Sequence, residues 1–168
     1  ALAIVASTAL AFAAGWFEPD WAMTLARQPM LDAGVDISPA VLIIITVIQA
    51  VIAAITINAV MAFGEEAGWR GWLQNALEPL GRLRQVLLTG AIWGFWHAPP
   101  IAAGYNYGDS LPGFAAVLLF TIFCVAFGAL LSWLSLRARS VLPAVLGHGF
   151  FNAIAAAPAL LAATGDTW

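Results

Sequence analysis

Lysine is absent from this sequence, and its six basic residues are all arginine. Charged side chains make up 9% of the chain, whereas a soluble domain carries about 25%. So little charge cannot cover a water-facing surface, which excludes a soluble globular protein. No basic patch exists, so nucleic acid is excluded as a partner. A single cysteine, Cys124, rules out an internal disulfide. It sits in an apolar run and reads as a small filler within a helix. Histidine occurs only at His97 and His148, and neither position lies in a polar loop. Internal repeats and low-complexity linkers are also missing.

What remains is 62% hydrophobic, with eight Trp and ten Phe among 168 residues. This composition predicts an all-α fold, a polytopic transmembrane helix bundle of about five spans, since each crossing needs roughly 20 apolar residues. The length suits one membrane-embedded domain, 1–168. The chain opens at Ala1 and not at Met, which suggests a truncated N-terminus. Its first run, Ala1 to Phe17, lacks the positive flank of a signal peptide and reads as part of a membrane helix. Pro39 to Phe63 opens with Ser38 and Pro39, a good helix start. Pro112 to Leu136 and Val141 to Thr164 are further candidates, the latter with Pro158 expected to bend or end it. Val86 to Ala98 is shorter and stops at Pro99-Pro100. Arg70, Arg82 and Arg84 follow the Pro39 run, and Arg137 and Arg139 follow the Pro112 run, whereas Glu18–Asp36 and Pro99–Ser110 hold only Arg27. The arginine-rich loops are therefore expected to face the cytoplasm.

Ionisable groups at membrane depth are expensive and usually pair or carry function. In "GEEAGWRGW", Glu66 and Arg70 are four apart and share a helix face, a spacing suited to an ion pair. Glu65 is rotated by about 100° from Glu66 and is left free to hold a water or a proton. In "WGFWHAPP", His97 follows Trp93 by one turn, and Pro99 ends the helix near it. In "HGFFN", His148 and Asn152 share a face, and both offer N–H donors. Taken singly, each is also consistent with a solvated face, a satisfied core histidine or a polar helix–helix contact. Together they place polar groups at spacings of four in three apolar segments, which a shared internal site explains most simply. A free carboxylate beside a neutral imidazole takes a proton from water, and an amide with a second imidazole steadies an oxyanion. Two His and one Glu are equally the ligand set of a catalytic zinc, with ligands drawn from three helices because H-E-x-x-H is absent.

"EEAGWR" with Gly71, "WGFWH" and "HGFFN" resemble the three motifs of the CAAX prenyl protease and bacteriocin-processing family, also called the CPBP or Abi family. The pattern is E-E-x-x-x-R, aromatic-x-x-x-His and His-x-x-x-Asn, in that order, and the likeness runs from about Met61 to Ala155. Trp93 stands where the family usually has Phe. The resemblance implies a polytopic intramembrane endopeptidase. It implies Glu65 and His97 as the pair that activates water, His148 and Asn152 as the oxyanion hole, and Glu66, Arg70 and Trp93 as supporting residues. Family members have been labelled metalloproteases. A metal-independent glutamate mechanism is favoured here, with no cofactor; the alternative is zinc on Glu65, His97 and His148. The implied partners are the lipid bilayer and a membrane-associated or lipidated substrate, as eukaryotic members cut tripeptides from prenylated proteins. The Trp-rich, Lys-free composition points to a bacterial plasma membrane. Two rival readings are a non-catalytic immunity or scaffold protein of the same fold and a proton-coupled transporter. The transporter requires an internal repeat, which the sequence lacks.

Overall fold

In the computed structural model, which describes residues 2–15, 18–108 and 110–161, no strand occurs among those residues and nearly every element is helical. The helices are α1 (Leu2–Ala13), α2 (Thr24–Asp32), α3 (Pro39–Ile55), α4 (Ile57–Glu66), α5 (Gln74–Ala76), α6 (Arg82–Trp96), α7 (Ala98–Ala102), α8 (Gly113–Ala138) and α9 (Leu142–Ile154). A π-helical segment, Ala67–Leu73, joins α4 to α5, and short 3₁₀ turns cover Glu78–Leu80 and Ala157–Leu161. The chain divides into two compact units, one made of residues 2–59 and 149–161, the other of Val60–His148.

The burial pattern is that of a lipid-solvated protein. Ile44, Val47, Ile48 and Ile52 on α3 and Phe114, Leu118, Ile122 and Trp133 on α8 are exposed. Glu66, Arg70, Gln74, Gln85, Thr89, Ser132 and His148 are buried. Water would reverse this arrangement, because apolar surface leaves water and charge seeks it. Among the described residues, two segments are long and apolar enough to cross a membrane, Gly113–Ala138 and Leu142–Leu161. The count becomes three if Pro39–Ile55 and Ile57–Ala76 form one broken span. The fold is polytopic, with fewer spans than the apolar windows predict. The reason is helix length: α1 has 12 residues and α6 has 15, both short of the roughly 20 that a crossing requires. Residues 1, 16, 17 and 162–164 of the first and last predicted runs lie outside the described residues.

In the first unit, α3 starts where the sequence indicates. The Ser38 side chain accepts from Val41 N–H, and Pro39 occupies the first turn. The predicted run to Phe63 is interrupted at Thr56, whose φ of -116° and ψ of -102° are not helical. Gly149 packs beside this break. A Cβ there would lie 2.9 Å from the Ala54 carbonyl oxygen and 3.1 Å from the Ala59 nitrogen, so only glycine admits such close backbones.

In the second unit, α6 packs against α8 through Gly90 and Gly94. These two are four apart, the spacing that lets membrane helices touch backbone to backbone. A Cβ on Gly90 would lie 2.7 Å from Val125 Cα, and one on Gly94 2.6 Å from Thr121 Cα. Fully buried Cys124 fills space in this contact. At the start of α6, Gln85 Nε2 donates to the Gln74 carbonyl at 2.6 Å, and Arg82 Nη1 donates to Gln85 Oε1 at 3.0 Å. The site residues of α6 are thus held at a fixed distance from α8.

The α6–α8 contact sets a stability test. Gly94→Ala should lower stability by about 1–3 kcal/mol through overpacking against backbone that cannot yield. Gly64→Ala, with nothing within 4 Å of the added Cβ, should be neutral or slightly stabilising. Thermal unfolding of both variants in detergent micelles checks the pair; equal midpoints would show that the glycine contact carries no weight.

Candidate active site

Glu65 and Glu66 close α4, and Arg70 lies in the π-helical segment that follows. The sequence predicts an ordinary α-helix through Arg70. The structure widens the turn after Glu66 instead, a departure that recurs at functional sites. Residues four apart still share a face. Arg70 Nη1 donates to Glu66 Oε1 at 2.9 Å, with both side chains fully buried. His148, brought in by α9 from 82 residues away, places Nδ1 2.9 Å from the same oxygen. Paired with a guanidinium, Glu66 is ionised and only accepts, so His148 Nδ1 carries the hydrogen. An unpaired charge at this depth would cost several kcal/mol. Glu66 is therefore committed to Arg70 and His148.

Trp93 connects the remaining groups. Its indole Nε1–H donates to Glu65 Oε2 at 2.8 Å. The Arg70 guanidinium carbon lies 4.7 Å from the Trp93 ring centroid, a cation–π contact. The His148 ring meets the indole edge to face, with centroids 5.2 Å apart. His97, one turn later, lies 2.9 Å through Nδ1 from the Trp93 carbonyl oxygen. A carbonyl only accepts, so Nδ1 is the protonated nitrogen, and a neutral ring then keeps Nε2 as an acceptor. The rings of Trp96 and Phe120, each with its centroid 4.9 Å from that of His97, fix the imidazole plane. Half-buried Glu65 has its one hydrogen bond among the described residues from Trp93. It is a carboxylate anchored by one oxygen and not neutralised by a salt bridge.

Six of the singled-out residues, Glu65, Glu66, Arg70, Trp93, His97 and His148, therefore meet within the second unit through Trp93 and Glu66. Asn152 stands one turn beyond His148 in α9; it belongs to the first unit and is exposed. Among the described residues no group of three His, Cys, Asp or Glu has the geometry to hold a metal ion. His97 and His148 both direct Nδ1 into hydrogen bonds with protein.

Several buried polar groups around this cluster were not singled out from the sequence. Glu66 Oε2, Arg70 Nε and Nη2, both amide atoms of Gln74 and Ser132 Oγ are buried without a hydrogen-bond partner among the described residues. Each such atom left dry costs about 1–3 kcal/mol. The signal that could have identified Gln74, Gln85 and Ser132 is the rarity of polar side chains in apolar helices. Gly128 belongs to the same wall, because a Cβ there would come within 2.8 Å of Arg70 Nη2.

These features define a class: an all-helical integral membrane protein with a buried Glu–Arg–His cluster beside a half-buried glutamate that has no salt bridge among the described residues. Residues 42–154 match the model of the type II CAAX prenyl endopeptidase Rce1-like family, and the chain belongs to that family. The matched stretch contains all three motifs, and the family is the one they resemble. No curated protein and no solved structure matches the chain.

The buried pair makes a direct demand on folding. Arg70→Ala should destabilise the protein by about 3–5 kcal/mol, because it strands Glu66 as an uncompensated buried charge. The yield of monodisperse protein and its unfolding midpoint in detergent report this. A normally folded Arg70→Ala protein that has lost only its chemistry would move Arg70 from structure to substrate.

Proposed function

We propose that this protein is an intramembrane endopeptidase in which Glu65 activates water for attack on a peptide bond. The observation that carries the reading is the division between the adjacent glutamates. Glu66 is fully buried and ion-paired to Arg70, with His148 on the same oxygen, whereas half-buried Glu65, among the described residues, accepts only from the neutral Trp93 indole and keeps its other oxygen. Glu65 takes a proton from water, and the hydroxide attacks the carbonyl carbon. His97 holds the same water through Nε2, since its Nδ1–H is spent on the Trp93 carbonyl. The tetrahedral oxyanion is held by His148 and Asn152. With Nδ1–H given to Glu66, His148 has an Nε2–H to offer only in its doubly protonated form. Collapse breaks the C–N bond, and Glu65 returns its proton to the leaving amine. Water is consumed, and one carboxylate and one amine result. Membership of the family supports a peptidase that acts on membrane-associated substrates, and we take a prenylated or otherwise lipidated peptide as the substrate class. We place the protein as a multi-pass component of a bacterial plasma membrane.

Cleavage of a prenylated peptide by the purified protein tests this. Glu65→Gln keeps shape and polarity but cannot accept the proton; it should fold, bind and fail to cut. Asn152→Ala should lose about a hundredfold to a thousandfold, as the loss of one oxyanion donor typically costs. A strong chelator should leave the rate unchanged. Full activity in Glu65→Gln would reject the mechanism, and activity lost to chelator and restored by zinc would put the metal on Glu65, His97 and His148. Inactivity of every form, with folding intact, would favour the immunity or scaffold reading.

A further inference from the structure

A polar pocket of about 490 Å³ lies beside the cluster in the second unit, lined in part by Arg70, Gln74, Asn75, Ser135, Arg139 and Ser140. No acidic side chain lines it, and it sits at the arginine-bearing end of α8. Gln74 and Arg70, at 0% and 1% exposed, are both lining residues and owners of unpartnered buried atoms. Ser132, three residues before Ser135 on α8, adds a further unpartnered oxygen, and Glu66 Oε2 another. Ser135, Gln74 and Arg70 line the pocket, and Ser132, on the same helix as Ser135, and Glu66, bonded to Arg70, extend the set: donors and acceptors of both kinds. Gln74 brings an amide with two donors and an acceptor, Ser132 a donor and an acceptor, Arg70 three N–H donors on Nε and Nη2, and Glu66 an acceptor. Such a mixed set suits water, which both donates and accepts and is held inside proteins by about three such groups. An anion would be repelled by Glu66, and a cation by Arg70.

We propose that Gln74, Ser132, Arg70 and Glu66 hold a file of bound waters that connects this pocket with the site around Trp93 and supplies the water consumed in hydrolysis. The supply role rests on the endopeptidase reading; the water site does not. A hydrolase that works among lipids requires a polar route for water, and this pocket is lined by Arg70, whose guanidinium lies over the Trp93 ring. Gln74 and Ser132 are positioning residues here, since they act through water and touch no substrate.

A density map of the purified protein at a resolution that shows waters decides the first half. Ordered waters bonded to the Gln74 amide, Ser132 Oγ and Arg70 Nε are expected. Side chains turned to bond one another, with no density between them, would overturn the proposal. Ser132→Val and Gln74→Leu, which fill the same space without polar atoms, decide the second half. In cleavage of the prenylated peptide each should lower kcat by about tenfold, equivalent to about 1.4 kcal/mol of transition-state support, with KM unchanged. Wild-type kcat in both variants would overturn the supply role. Waters present in a protein that cleaves nothing would retain the water site and remove the endopeptidase reading.

Discussion

A carboxylate removed from water inside a membrane protein must be paired, and Glu66 is the point at which this requirement is met. Its Oε1 receives both Arg70 and His148, so one oxygen ties the π-helical segment to α9 across 82 residues of sequence. Arg70 in turn rests on the Trp93 ring, and Trp93 holds Glu65. Each group is buried at tolerable cost only because the next one is in place.

The same constraint separates structure from chemistry. Two adjacent glutamates on one helix end cannot both face Arg70. The one that does is neutralised and fixed; the other is fixed without being neutralised. Backbone geometry supports this separation. Gly90 and Gly94 bring α6 close to α8, and Gly128 leaves room for the guanidinium. The small residues thus position Trp93 and Arg70 against each other, although none of them carries a polar group.

Features that depend on neighbours along the chain were legible in the sequence. The Ser38–Pro39 start, the apolar helix that became Gly113–Ala138, and the Glu66–Arg70 pair all follow from local spacing. The lipid-facing class followed from the scarcity of charge. Features set by distant contacts were not legible. The interruption at Thr56 lies where Gly149 approaches from the other end of the chain. His148 reaches Glu66 from another helix, and no spacing rule indicates that. The π-helical turn has no simple sequence signature. The span count was too high because apolar composition was read as length, although α6 is limited by Arg82 at one end and the Pro99–Pro100 pair near the other. Gly90 and Gly94, four apart in an apolar run, do carry the close-packing spacing in the sequence itself.

The central claim is that Glu66 and His148 form one energetic unit. A double-mutant cycle of Glu66→Gln and His148→Phe, read by unfolding in mixed micelles, measures this most directly. The account expects a coupling of about 1–3 kcal/mol between the two positions. Additivity within about 0.5 kcal/mol would contradict it and would leave the cluster without its organising contact.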